Sequence, residues 1–221
     1  MPFRTQAGSG GIVFHVLNRG ARRLRLFDAP DDYRAFLHCL ARTRDRIPLR
    51  ILAYCVMPNH FHLVVWPTQD GELARFMHRM TSTHAKRWHV RRDTSGDGAV
   101  YQSRYKALAV QGDRHFLTVC RYVERNALSA GLVQRAEEWP WSSLAESGEG
   151  GAPVPIDDWP VQRPPDWPTL VNETQFASEL EQVRQAVRSG LPLGDTSWAV
   201  HTARRLGLEA KPPGRPRKCG Q

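Results

Sequence analysis

The sequence predicts an α+β fold: an antiparallel, four-stranded sheet with helices packed on it. Three observations lead there. Stretches with the two-residue alternation of strands take turns with stretches of helical periodicity up to Leu128. Their order is strand, helix, strand, strand, helix, strand, helix. The second and third strands are separated only by Met57-Pro58-Asn59, which leaves room for a hairpin and nothing longer.

"GIVFHVLNRG" (Gly11 to Gly20) alternates apolar and polar residues and ends in a turn. "APDDYRAFLHCLARTRDR" reads as a helix. Pro30 and Asp31 suit its start, Tyr33, Phe36, Leu37 and Leu40 recur at helical spacing, and Arg42, Arg44 and Arg46 complement the dipole at its end. "LRILAYCV" and "HFHLVVW" are the hairpin strands. "GELARFMHRMTSTHAKRWHVRR" is a second helix, with Leu73, Phe76, Met77, Met80, His84 and Trp88 along one face. "DTSGDGA" is a loop and "YKALAVQ" a fourth strand. "DRHFLTVCRYVERNAL" is a third helix, with Asp113 near its start and Phe116, Leu117, Cys120 and Val123 as its buried stripe. The first six elements follow the split β-α-β order of a ferredoxin-like sheet with helices on one face, and the seventh is an additional helix.

Beyond Ser143 the composition changes. "ESGEGGAPVPIDDWPVQRPPDWP" is rich in Gly and Pro, and Trp139, Trp159 and Trp167 suggest a segment that hugs the domain. "NETQFASELEQVRQAVRSG" and "GDTSWAVHTARRLGL" are two further helices. These boundaries divide the chain into 1–145, a linker or wrap at 146–168, a helical extension at 169–210 and a basic tail at 211–221.

Composition narrows the class. The 221 residues carry 31 Lys+Arg against 22 Asp+Glu, a formal charge of +9, which favours a polyanionic partner such as nucleic acid. Cys39, Cys55, Cys120 and Cys219 form no C-x-x-C pair, so neither a zinc ribbon nor a dense disulfide framework is expected. No apolar run approaches the length of a membrane span, and "MPFRTQAGSGG" lacks the apolar core of a signal peptide. A cytoplasmic protein is expected.

The chemistry concentrates in "CVMPNHFHLVVW" (Cys55 to Trp66). His60 and His62 are two apart on a strand, so they project from the same face and could ligate one metal. The pattern H-x-H alone equally suits two core or surface histidines. In "RYVERN", Tyr122 and Asn126 are four apart and share a helical face. A phenol, with a free pKa of about 10, is a poor nucleophile at neutral pH. A divalent metal that polarises a target phosphate offsets that handicap. Attack on a phosphodiester would then conserve the bond energy for rejoining. Read alone, Tyr122 suits a half-buried packing role better than a catalytic one.

Basic residues cluster in three places: Arg19, Arg22, Arg23 and Arg25 after the first strand; Lys86, Arg87, Arg91 and Arg92 late in the second helix; and Arg104 and Lys106 beside Tyr101 and Tyr105. Cations interleaved with aromatics suit the phosphates and unpaired bases of single-stranded nucleic acid. In the tail, Arg215, Arg217 and Lys218 lie in "PGRPRK", similar to the Gly-Arg-Pro core of a minor-groove hook.

Together, "NRGARRLRLFDAPDDYRAFLHCL", "AYCVMPNHFHLVVWP", "YQSRYKALAV" and "RYVERNALSAGLVQRAEEWPWSS" resemble the single-tyrosine transposases with a His-hydrophobic-His motif, and among them the REP-associated tyrosine transposases. The resemblance runs from about Gly11 to Ser143 and continues more weakly through "SGLPLGDTSW" and "GRPRK". It implies a ferredoxin-like catalytic domain over residues 1–145, a divalent metal, Mg2+ or Mn2+, held by His60, His62 and Asn126, and Tyr122 as nucleophile. The implied activity is nicking and rejoining of single-stranded or hairpin DNA through a 5′-phosphotyrosine, by a monomer or a homodimer associated with the bacterial nucleoid. The chain departs from many members at Tyr101, where they carry Trp, which makes Tyr101 and Tyr105 rival tyrosines. Two other readings stand beside it. One is a catalytically silent DNA-binding regulator of the same fold, and the other a metallo-phosphodiesterase that activates water.

Overall fold

The computed structural model describes residues 8–145 and 154–208. Its sheet has four antiparallel strands, β1 (Val13–Arg19), β2 (Arg50–Met57), β3 (His60–Trp66) and β4 (Lys106–Val110), in the order β2-β3-β1-β4. Helices α1 (Pro30–Arg46) and α2 (Glu72–Arg92) connect them, and α3 (Arg114–Glu124) and α4 (Asn126–Ser129) follow β4. This is the ferredoxin-like order that the sequence predicts.

Both faces of the sheet are covered, which is why β1 and β3 are apolar on both sides. Tyr33, Phe36, Leu37 and Leu40 of α1 and Leu73, Phe76, Met77 and Met80 of α2 pack on Phe14, Val16, Leu63 and Val65. The expectation of helices on one face holds for these two only. On the opposite face, Phe116, Val119, Cys120 and Val123 of α3 pack on Val13, Cys55, Val64 and Leu108. A bulge in β2, where Ile51 opposes Val65 and Ala53 opposes Val64, turns both Leu52 and Ala53 to the α3 side.

The helix starts are fixed locally. Pro30 opens α1, and the Asp32 carboxylate accepts from the amides of Asp28 and Ala29 at 2.9 and 3.2 Å. The Glu72 carboxylate accepts from the amide of Thr68 at 2.6 Å, and the Asp113 carboxylate from the amide of His115 at 2.8 Å. The hairpin loop is only Pro58-Asn59, and their carbonyls accept from the amides of Leu26 and Gly20.

Both sheet edges are capped by later chain. Along β2, the Val56 amide donates to the Trp141 carbonyl and the Ile51 amide to the Asp157 carboxylate. Along β4, Leu193 exchanges backbone hydrogen bonds with Ala109 and Gln111. The C-terminal part holds α5 (Trp167–Asn172), α6 (Ala177–Ser189) and α7 (Thr196–Arg205), three helices where the sequence suggests two. The Trp159 indole donates to the Leu52 carbonyl at 2.8 Å, and the Trp167 indole to the buried Glu124 carboxylate at 2.6 Å. No helix among the described residues is long and apolar enough to cross a membrane.

Candidate active site

His60 and His62 lie on β3 opposite Arg19 and Leu17 of β1, and their side chains emerge on the face that α3 covers. Their rings stand 4.9 Å apart, nearly perpendicular. Tyr122, half-buried on α3, sets its ring edge-on to His62 with centroids 5.8 Å apart. The Asn126 Nδ2 lies 3.4 Å from His62 Nε2. These four residues line one cavity of about 730 Å³. Its walls come from Asn18 and Arg19 of β1, from Gln102, Ser103, Arg104 and Lys106, and from Gln175, Leu180, Arg184 and Val187 of the C-terminal part.

One expectation needs correction. Tyr122 and Asn126 do not share an unbroken helix: α3 ends at Glu124, and Asn126 opens the short α4. Arg125 between them has φ −78° and ψ −6°, and its guanidinium donates to the Val171 carbonyl at 2.7 Å. The Arg125 amide still bonds the Arg121 carbonyl and the Ser129 amide the Arg125 carbonyl, so the two side chains keep a common side.

The electrostatics suit metal ligation. Burial holds the His60 imidazole at a pKa of about 4, with Arg19 adding to the effect and Asn126 opposing it. Burial, then His60, His15 and Arg19, keep His62 well below its ordinary value. Both rings are therefore neutral at pH 7, with lone pairs to offer. Asn59 Oδ1 sits 2.7 Å from His60 Nδ1 and His15 Nε2 sits 2.9 Å from His62 Nδ1, so each Nδ1 has a partner away from the cavity. The donor set, two imidazole Nε2 atoms and an amide that can present its oxygen, fits a divalent ion with positions left for phosphate and water oxygens. Among the described residues no group of three or more His, Cys, Asp or Glu could hold a metal ion, so a site here needs the Asn126 amide beside the two histidines. Burial also raises the Tyr122 phenol above its usual pKa, while Arg184, Asn126 and Arg19 pull it back.

Of the sequence-predicted cations, Arg19, Arg104 and Lys106 reach the cavity. Arg22 and Arg23 are exposed on the neighbouring turn, and Arg25 pairs with Asp28 at 3.2 Å. Lys86 and Arg87 are not brought to it. They sit on α2, across the sheet, where the Arg87 guanidinium contacts Cys39 Sγ at 3.2 Å. Arg215, Arg217 and Lys218 lie outside the described residues. Neither rival tyrosine lines the cavity. The Tyr101 hydroxyl sits 2.8 Å from His84 Nδ1, and burial pushes it well above its ordinary pKa. Arg125, Arg184 and His15 escaped sequence reading. The first two reach the cavity only through the fold, whereas His15 carried one faint signal, a histidine at an alternation position beside Val13 and Leu17.

The buried histidines predict an acid-sensitive fold. His15, His60 and His84 are held at about 3, 4 and 4, and His62 also lies well below 6.5. Below about pH 6.5 the unfolded chain takes up protons that the folded chain refuses, so this stability is complete above 6.5 and is lost as pH falls toward 3–4. Glu124, raised by burial, acts with the opposite sign at the acid end. The unfolding free energy from urea titration should fall between pH 7 and pH 4.5, by on the order of 1 kcal/mol or more per buried histidine, and the urea midpoint with it. His84→Gln should flatten the curve. A midpoint independent of pH would contradict the burial.

The chain belongs to the IS200-like transposase family, whose model matches residues 10–126 and so spans all four site residues. Within that class it is similar to REP-associated tyrosine transposases. The Escherichia coli K12 protein of that name is 24% identical over 148 residues, covering 67% of this chain and 84% of the relative. A Haemophilus influenzae protein, provisionally given the same name, is 21% identical over 166 residues, covering 71% and 92%. A solved structure of a REP-associated tyrosine transposase bound to a REP hairpin matches with a TM-score of 0.51 at 21% identity, over 67% of this chain and 85% of that one, which establishes likeness of fold.

Proposed function

We propose that the protein is a metal-dependent endonuclease and strand transferase that acts on single-stranded or hairpin DNA through a 5′-phosphotyrosine on Tyr122. One observation carries the reading: Tyr122, His60, His62 and Asn126 converge in a single cavity whose described lining holds Arg and Lys but no Asp or Glu. A water-activating phosphodiesterase would need a carboxylate or comparable base there. Glu124, the nearest acid in sequence, is turned away and binds Ser143 and Trp167. The hairpin-bound relative supports DNA of that kind as substrate.

His60, His62 and Asn126 would hold Mg2+ or Mn2+, which when bound supplies Lewis acidity to the scissile phosphate. Burial holds Tyr122 as the phenol, and Arg184, Asn126 and Arg19 offset part of that effect. The Tyr122 oxygen attacks phosphorus, a Tyr O–P bond forms and the P–O3′ bond breaks. The phenol loses a proton and the departing 3′ oxygen gains one, so no net proton is consumed. Reversal by another 3′-hydroxyl rejoins the strand. All four residues belong to one chain. The segments 1–145 and 169–210 would act as catalytic domain and covering extension.

The test is incubation of end-labelled single-stranded hairpins with the protein and Mn2+, scored on a denaturing gel. A protein-linked label that disappears on chelation is expected; cleavage with no linked label would favour activated water instead. Binding alone under every condition would favour the silent regulator.

The cavity also orders the cations. Arg19→Ala, Arg104→Ala and Lys106→Ala should each weaken hairpin binding and reduce the salt slope by about 0.7 for every single-strand phosphate left without its cation. Lys86→Ala and Arg87→Ala should leave both unchanged. The reverse ranking in a salt titration would move the DNA path to the α2 face.

A further inference from the structure

We propose that His15 is a positioning residue, accepting the Nδ1 proton of His62 and so turning the His62 Nε2 lone pair into the cavity; the inference rests on the metal-site reading above. His15 opposes Val64 while Leu17 opposes His62, so the two histidines are diagonal neighbours on adjacent strands and face the same side. Their rings stack at 5.1 Å with an interplanar angle of 25°, and His15 Nε2 lies 2.9 Å from His62 Nδ1. His15 is fully buried, and its other nitrogen, Nδ1, has no hydrogen-bond partner among the described residues. No other hydrogen bond therefore holds this ring, and a buried imidazole with one orphan nitrogen is costly among residues such as Val13 and Val64. The contact to His62 is what an aliphatic residue at position 15 could not supply.

Proton placement gives that contact a direction. An imidazole that ligates a metal is neutral. A neutral His62 that offers its Nε2 lone pair must carry its proton on Nδ1, and His15 Nε2 is the acceptor in reach. His60 has the same arrangement built from Asn59 Oδ1 at 2.7 Å. Both histidines are thus backed at Nδ1, which is how the tautomer of an imidazole ligand is fixed. His15 is not a third ligand, since its Nε2 is turned to His62. Its ring also meets the edge of Tyr122 at 5.9 Å, so it braces nucleophile and ligand together.

The experiment titrates Mn2+ alone into the full chain and follows free Mn2+ by electron paramagnetic resonance, with thermal unfolding in parallel. Four proteins are compared: wild type, His60→Ala, His15→Gln and His15→Met. Gln can place an amide oxygen where Nε2 stands; Met has similar bulk and no such acceptor. His15→Met should weaken Mn2+ binding by about 10- to 100-fold, and His15→Gln should stay within about threefold of wild type. If Met disrupts folding, His15→Leu makes the same comparison. Wild-type affinity in the Met variant, or equal weakening in Met and Gln, overturns the inference while a crippled His60→Ala keeps the metal site. Wild-type affinity in His60→Ala removes the metal-site reading itself, and with it the role of His15.

Discussion

Replacing Tyr122 by Phe is expected to remove the covalent adduct entirely while leaving hairpin affinity unchanged. The substitution deletes one oxygen. The ring keeps its edge contacts with His15 and His62, and a half-buried hydroxyl contributes about 1 kcal/mol or less to stability. Binding depends on the cations lining the cavity, which the change does not touch. Tyr105→Phe should still form the adduct. Tyr101→Phe should form it too, but should cost roughly 1 kcal/mol of stability, because its hydroxyl is bonded to the buried His84. Gel-shift affinity and adduct yield measured on the same preparations check this. An adduct formed by Tyr122→Phe at the wild-type level would rule Tyr122 out.

His60→Ala should reduce single-turnover cleavage by about a thousandfold or more, as chelation does, with most of the binding retained, because the transition-state charge that a metal offsets is worth several kcal/mol. His62→Ala should match it in activity but be less stable. It leaves a cavity in the core and strips His15 Nε2 of its partner, which costs about 1–3 kcal/mol beyond the packing. His60, less buried and backed by Asn59, is the cleaner variant. Cleavage by His60→Ala at the wild-type rate in the presence of chelator would mean that the paired histidines hold no ion that the reaction needs.

The sheet was legible because its determinants are local. Alternation in "VFHVLNR", the two-residue loop before His60 and the acidic starts of α1 and α3 each act over a few residues. The His-x-His pair was legible for the same reason, since strand geometry alone puts both rings on one face. The break at Arg125 was not. No Gly or Pro marks it, and local propensity carries the helix through "RYVERNAL"; the Arg125 side chain instead engages the end of α5, some 46 residues further on. Helix α5 itself is short and flanked by Pro, and it is anchored by Trp167 reaching Glu124. The charge clusters did not show which cations the fold brings to the cavity. Arg92, in the same cluster as Lys86 and Arg87, pairs with Asp28 and Asp32 at 2.9 Å, whereas Arg184 reaches the cavity from a helix with no basic run.

The most direct test of Tyr122 as the nucleophile is to trap the protein with a hairpin in Mn2+, digest both components and map the nucleotide-bearing peptide by mass spectrometry. A single modified residue is expected, Tyr122, carrying a 5′-linked phosphate, together with a released strand that ends in a 3′-hydroxyl. A nucleotide on Tyr101 or Tyr105, or complete cleavage with no modified tyrosine, would contradict it.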